Sequence, residues 1–158
     1  MMRKNVKVFA KHGIYSRKEI DARLESLTEE YHKLLHIETM TMLDMVNTEI
    51  IPAVITYSKE IADTALAKKQ LGISCSTEEK LLHKITAAND ALNQTVEDMQ
   101  RLLDEGDNCP TSREKAQFYH DAILPKMDDM RRAADQLEVL TAAKYWPFPT
   151  YGDLLFSV

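Results

Sequence analysis

From Ser16 to Gln70, apolar side chains recur in steps of three and four: Ile20, Leu24, Leu27, Tyr31, Leu34 or Leu35, then Met42, Met45, Val46, Ala53, Tyr57, Ile61 and Ala65. That spacing keeps one stripe on one helical face, so it predicts a single very long amphipathic helix. Ser16-Arg17-Lys18-Glu19 marks its start as a capping box, a hydroxyl for the third free amide and a carboxylate reaching back, and Gly72 marks its end. A second helix is predicted after Ser76-Thr77-Glu78-Glu79. It carries Leu81, Leu82, Ile85, Ala88, Leu92, Val96, Met99, Leu102 and Leu103, and ends at Gly106. The third opens at Thr111-Ser112-Arg113-Glu114 and carries Ala116, Tyr119, Ile123, Met127, Met130, Ala134, Leu137 and Leu140. Short loops between long helices make them antiparallel neighbours. The expected fold is therefore all-α, an antiparallel bundle of three long helices over residues 16–144.

Pro52 and Pro125 fall inside the helical pattern with no turn residue beside them. Each removes a backbone donor and crowds the carbonyl four residues back, which predicts a kink and not a reversal, so that the three long helices count as four or five where they are divided at the kinks. At the N-terminus, Val6, Val8 and Phe9 followed by His12-Gly13-Ile14-Tyr15 read as an extended lead-in and a turn. Residues 1–15 are then the lead-in from a missing upstream region, with Met1 or Met2 added in expression. At the other end, residues 145–158 leave the helical pattern. Pro147 and Pro149 favour an extended backbone, and the aromatic residues, Trp146 and Phe148 among them, offer much area to bury. This predicts an extended aromatic tail docked on the bundle or on the missing body of the protein.

Composition narrows the function classes. With 158 residues the chain is one domain's length, and four Gly, eight Met and 28% charged residues suit long helices. A net charge of −5 without any concentrated basic segment argues against nucleic acid as a partner. The apolar runs fall short of the roughly 20 residues that cross a bilayer, which argues against a membrane role. The N-terminus lacks a secretion signal's apolar core, so a soluble, cytoplasmic protein is expected. Cys75 and Cys109 bracket the second helix, roughly 40 Å apart at its 1.5 Å rise per residue, too far for a disulfide within one chain.

Candidate chemistry is sparse. A di-iron bundle needs Glu-x-x-His on two helices, and only Glu29-Glu30-Tyr31-His32 supplies it. His32 and His36, at i and i+4, read as solvated polar surface, and Asp128, Asp129, Arg131 and Arg132 as an ion-paired outer face. Glu38 falls on the apolar stripe between Leu34 and Met42, so it needs a hydrogen-bonding partner or marks an edge of the core. The four glycines build no phosphate-binding loop. The residues expected to carry catalysis, cofactors or metal in this chain are therefore none.

Several segments together resemble the C-terminal region of the type III glutamine synthetases. They are Phe9-Ala10-Lys11-His12-Gly13-Ile14-Tyr15 with Glu19 and Arg23; Ile37-Glu38-Thr39-Met40-Thr41-Met42-Leu43-Asp44-Met45 leading to Ile51-Pro52-Ala53; Thr64-Ala65-Leu66-Ala67-Lys68; Leu124-Pro125-Lys126-Met127; and, most specific, Tyr145-Trp146-Pro147-Phe148-Pro149-Thr150-Tyr151-Gly152-Asp153-Leu154-Leu155-Phe156. The resemblance implies an accessory helical domain of a ligase that joins ammonia to glutamate with ATP. ATP and divalent metal would bind the catalytic region, which this chain does not contain. The implied partners are that catalytic domain of the same polypeptide and neighbouring subunits of a homo-oligomer. A free-standing helical interaction module is the competing reading.

Helix lengths say where such contacts would fall. At about 1.5 Å per residue the first helix spans roughly 80 Å, the second about 42 Å and the third about 50 Å. Helix two, running back from residue 70, should be exhausted near residue 42, leaving residues 16–41 as an uncovered arm. The expected interface residues are Ile20, Leu24, Leu27, Tyr31, Leu34 and Leu35 on that arm, with Trp146 and Phe148 on the tail.

Overall fold

The computed structural model describes residues 2–149 and 151–156; Met1, Thr150, Ser157 and Val158 lie outside them. Among the described residues every regular element is helical. These are α1 (Met2–Lys11), α2 (Arg17–Met45), α3 (Ile51–Gln70), α4 (Ser76–Asp107), α5 (Ser112–Phe118), α6 (Leu124–Leu140) and α7 (Tyr151–Phe156). π-Helical turns at Val46–Ile50 and Tyr119–Ile123 join α2 to α3 and α5 to α6. The all-α expectation holds, with the first and third expected helices each divided near the proline as allowed for, while both chain ends add a helix that was not expected.

Both divisions answer to a proline. Pro52 and Pro125 each stand second in the helix that follows a π turn, and at both places the preceding amide reaches five residues back: Ile51 N–H to Val46 O, Leu124 N–H to Tyr119 O. A proline in an unbroken α-helix would drive its ring into the carbonyl four residues back and leave that carbonyl without a donor. Inserting one residue just upstream re-registers the ladder so that the helix continues past the ring. The chain keeps right-handed helical angles on both sides, so neither proline reverses it.

The caps follow the sequence at two starts out of three. Ser16 N–H donates to Glu19 Oε2 at 2.7 Å while Glu19 N–H donates to Ser16 Oγ at 3.3 Å, a complete capping box. Thr111 Oγ1 likewise accepts from Glu114 N–H at 3.2 Å. At α4 the cap is Cys75, not Ser76, and it makes no side-chain cap bond. The acidic first turn is used otherwise: Glu78 pairs with Lys68 and Glu79 with Lys69 (2.6 Å), fastening α4 to the end of α3. Nor does α4 end at Gly106. That residue is buried within the helix, and a Cβ built on it would come 3.2 Å from the Tyr119 ring and 3.3 Å from the Phe118 ring, so the glycine is there for close packing.

The core runs along α4, whose buried Ile85, Leu92, Val96, Met99 and Leu103 keep the helical spacing. α4 packs on both α3 and α6, while α5 packs on α2. Val54 of α3, Met130 and Leu137 of α6, and Tyr119 and Ile123 of the second π turn belong to the same cluster, as do Leu35 and Leu43 of α2. Thr39, fully buried, ties α2 to α6 by donating to Leu35 O (2.7 Å) and lying 3.4 Å from Met127 Sδ.

Both chain ends differ from the extended segments expected. Residues 2–11 are helical because Val6 and Phe9, three apart, sit against α2, while Val8 faces solvent. Gly13, at φ +62°, makes the turn that follows. Beyond α6, residues 145–149 lack regular structure, with Trp146 and Phe148 packed on the core, but Tyr151–Phe156 is helical again.

Candidate interaction surface

Two features stand out near the end of the molecule formed by α2 and α5. The first is a polar junction. His36 Nδ1 lies 2.9 Å from the Tyr119 hydroxyl, and His32, buried, sets its ring 6.0 Å from that of Tyr119. The i, i+4 histidine pair is thus turned toward α5 and is not solvated surface. It flanks the α5 face opposite Leu35 because His32, Leu35 and Thr39 share one side of α2. The sequence signal was the spacing His32, Leu35, Thr39, Leu43, which gives α2 a second buried face beside the Leu27 stripe.

Burial lowers the pKa of His32 below the ordinary histidine value of 6.5, and the positive charges of Lys115 and Lys33 add to the effect. Burial also raises that of Tyr119, helped by the nearby negative charge of Asp107, which itself pairs with Lys115 at 2.6 Å. Since His32 binds its proton more weakly in the folded chain than in the unfolded one, its contribution is complete above about pH 6.5 and is lost as pH falls from there toward the lowered folded value. Thermal melts between pH 7.5 and 5.5 should show a drop that His32→Phe flattens. The carboxylates held below their usual range by lysine partners, Asp107 and Glu29 among them, act only below about pH 4.5.

The second feature is apolar. Leu27, Tyr31, Leu34 and Ile37 remain 62%, 37%, 55% and 62% exposed along one side of α2. Leu27 and its N-terminal neighbours Ile20 and Leu24 line, with Val6, Phe9, Tyr15 and Arg23, an open groove of about 450 Å3 between α1 and α2. The Arg23 guanidinium stacks 4.5 Å above the Tyr15 ring, whose edge meets Phe9. Of the residues assigned to the interface from sequence, Ile20 and Leu24 are half-buried and Leu35 is buried in the chain's own core. Trp146 and Phe148 are half-buried against that core, too. Ile37 was not among those assigned, because it lies at the margin of the stripe and not on its centre line.

The covered length of α2 also differs from that expected. Asp107, the last residue of α4, shares a depression with His36 and Met40, and Thr111 to Arg113 lie beside Asp21 to Thr28. α4 therefore reaches further along α2 than residue 42, and the following loop carries α5 onto what was taken for a bare arm. What stays bare is the Leu27 side. Among the described residues no helix is long and apolar enough to cross a membrane, and no three His, Cys, Asp or Glu are placed to hold a metal ion.

A family model described as glutamine synthetase C-terminal domain matches residues 1–69, the stretch holding α1, α2 and most of α3. A glutamine synthetase of Butyrivibrio fibrisolvens is 30% identical over 156 residues, covering 98% of this chain. A type-3 glutamine synthetase of Dictyostelium discoideum is 29% identical over 159 residues, covering 97%. The chain is a relative of the C-terminal domain of type III glutamine synthetases. A glutamine synthetase of Bacteroides fragilis (strain YCH46) is 24% identical over 150 residues. The chain spans about a fifth of the length of these relatives, 22% of the first two and 21% of the third. In this domain the family match and the exposed apolar side of α2 coincide.

Proposed function

We propose that this chain is the non-catalytic C-terminal helical domain of a glutamine synthetase-like ligase, and that it makes interdomain or subunit contacts within that enzyme. In the full protein, glutamate, ammonia and ATP would be converted to glutamine by a catalytic region carrying the nucleotide and the divalent metal. The helices, arranged as three antiparallel rods, would present α2 to that region or to a neighbouring subunit in the cytoplasm. The observation that carries this reading is the set of exposed apolar residues on α2, inside the matched stretch, in a domain related to a fifth of a much longer enzyme. Exposed apolar side chains in contiguous array mark contact surfaces more often than free surface.

Immunoblotting of source cells with an antibody to this chain tests it. A band several times the 18.1 kDa of the chain is expected, with glutamine formation in the immunoprecipitate and none by the chain alone. A band only at the mass of the chain would favour the free-standing interaction module, and glutamine formation by the chain alone would overturn the non-catalytic assignment.

A further inference from the structure

We propose that the exposed side of α2 pairs with the same side of α2 from a second copy of this chain, antiparallel and centred between Glu30 and Tyr31, with Arg23 of each copy meeting Glu38 of the other. This deepens the contact role proposed above and rests on it.

Three observations point to self-pairing. The first is the repeat. Leu24, Tyr31, Glu38 and Met45 recur every seven residues, with Ile20, Leu27, Leu34 and Thr41 interleaved, so this side of α2 carries a heptad seam. The second is that Glu38 lies on this seam, exposed, with no hydrogen bond or ion pair among the described residues. A carboxylate on a mostly apolar seam weakens pairing with an apolar partner and favours one that brings a cation to it.

The third observation is that the cation is present at the matching place. An antiparallel pairing about that centre sets position i beside position 61 minus i. It places Leu27 level with Leu34 of the second copy, Leu24 with Ile37, and Arg23 with Glu38, twice over by the two-fold axis. Arg23 is available for this role. Its guanidinium lies 4.5 Å from the centre of the Tyr15 ring, feels the charge of Glu19 one turn before it, and has no salt bridge among the described residues, so its planar fork can meet a carboxylate. The groove between α1 and α2 then receives Ile37 of the second copy at the level of Leu24. The same alignment makes no use of the α4–α6 core.

Arg23→Glu and Glu38→Arg, made singly in the whole chain, test the register by light scattering and sedimentation across a dilution series. Wild type should dimerise in a concentration-dependent way. Each reversal places two like-charged pairs in its own homodimer and should weaken association about tenfold or more. Mixing the two variants in equal amounts restores both opposite-charge pairs, so the mixture should regain wild-type affinity as a heterodimer. Glu38→Arg disturbs no contact among the described residues, and melting equal to wild type at dilutions where both chains are monomeric controls for folding. A wild-type chain that stays monomeric at hundred-micromolar concentration would overturn the pairing, as would a dimer indifferent to both reversals or a mixture no tighter than its components. Such a result, together with a long immunoreactive polypeptide, would leave the enzyme-domain reading standing with the catalytic region as the occupant of α2.

Discussion

Tyr119→Ala should destabilise the chain by about 3–5 kcal/mol, the range for deleting a fully buried aromatic ring. Tyr119 has no exposed surface, opens the π turn between α5 and α6, and lies against α2 and α4. Its ring edge lies against Gly106 of α4, its centroid lies 6.0 Å from that of His32 of α2 with the rings tilted at 48°, and its hydroxyl meets His36 Nδ1 at 2.9 Å. The cavity would open where α2, α4 and α5 converge, and helices cannot collapse into it without moving the capped start of α5. Tyr119→Phe separates packing from hydrogen bonding: it keeps the ring and loses only the hydroxyl contact, for about 1 kcal/mol. Urea denaturation of the two variants measures both values. Equal losses would mean the hydroxyl and not the ring holds the junction, and a loss below about 1 kcal/mol for the alanine variant would remove Tyr119 from the core.

How much of this was legible in the sequence depends on the kind of signal. Hydrophobic period located the long helices because burial repeats with the helix turn, as along Ile85, Leu92, Val96 and Met99. Ser16 and Thr111 were legible as caps because a single side chain satisfies the local amides. Cys75 was not, since Glu78 and Glu79 are committed to Lys68 and Lys69 across a helix pair that no local pattern reveals. The prolines announced an interruption, and the π turn before each is what the sequence did not specify. Gly106 looked like a stop because glycine commonly ends helices, whereas its role is to admit the rings of Phe118 and Tyr119. α1 was missed because Val6 and Val8 imitate a strand alternation, and only contact with Ile20 and Leu24 favours the face of Val6 and Phe9. At the candidate surface, the stripe was visible as far as Leu34. Leu35 belongs to a second face whose partner, α5, lies about eighty residues further along the chain.

Replacing Trp146 and Phe148 together by alanine should lower stability by about 2–4 kcal/mol, which for a chain of this size is a fall in melting temperature of roughly 5–15 °C. Both rings are half-buried against the core and meet edge to face, centroids 6.5 Å apart at 80°. The segment is also anchored before them. Lys144 Nζ pairs with Glu60 at 3.1 Å, and the Tyr145 ring lies 5.2 Å from that of Tyr57 on α3. Pro147 between the two rings limits the conformations open to the free segment, so less entropy is lost when it docks. The exposed ion pair contributes little by itself, and the aromatic area dominates. Deleting residues 145–158 removes the Tyr145 contact as well and should cost at least as much. The chain's single tryptophan makes the state of the segment readable. Emission from Trp146 should be blue-shifted and shielded from iodide in the native chain, shifting red in the same transition that unfolds the helices. If instead the double variant melts with the wild type, and Trp146 emits at long wavelength and is readily quenched, the segment does not dock on this domain and its rings are free for another surface of the full protein.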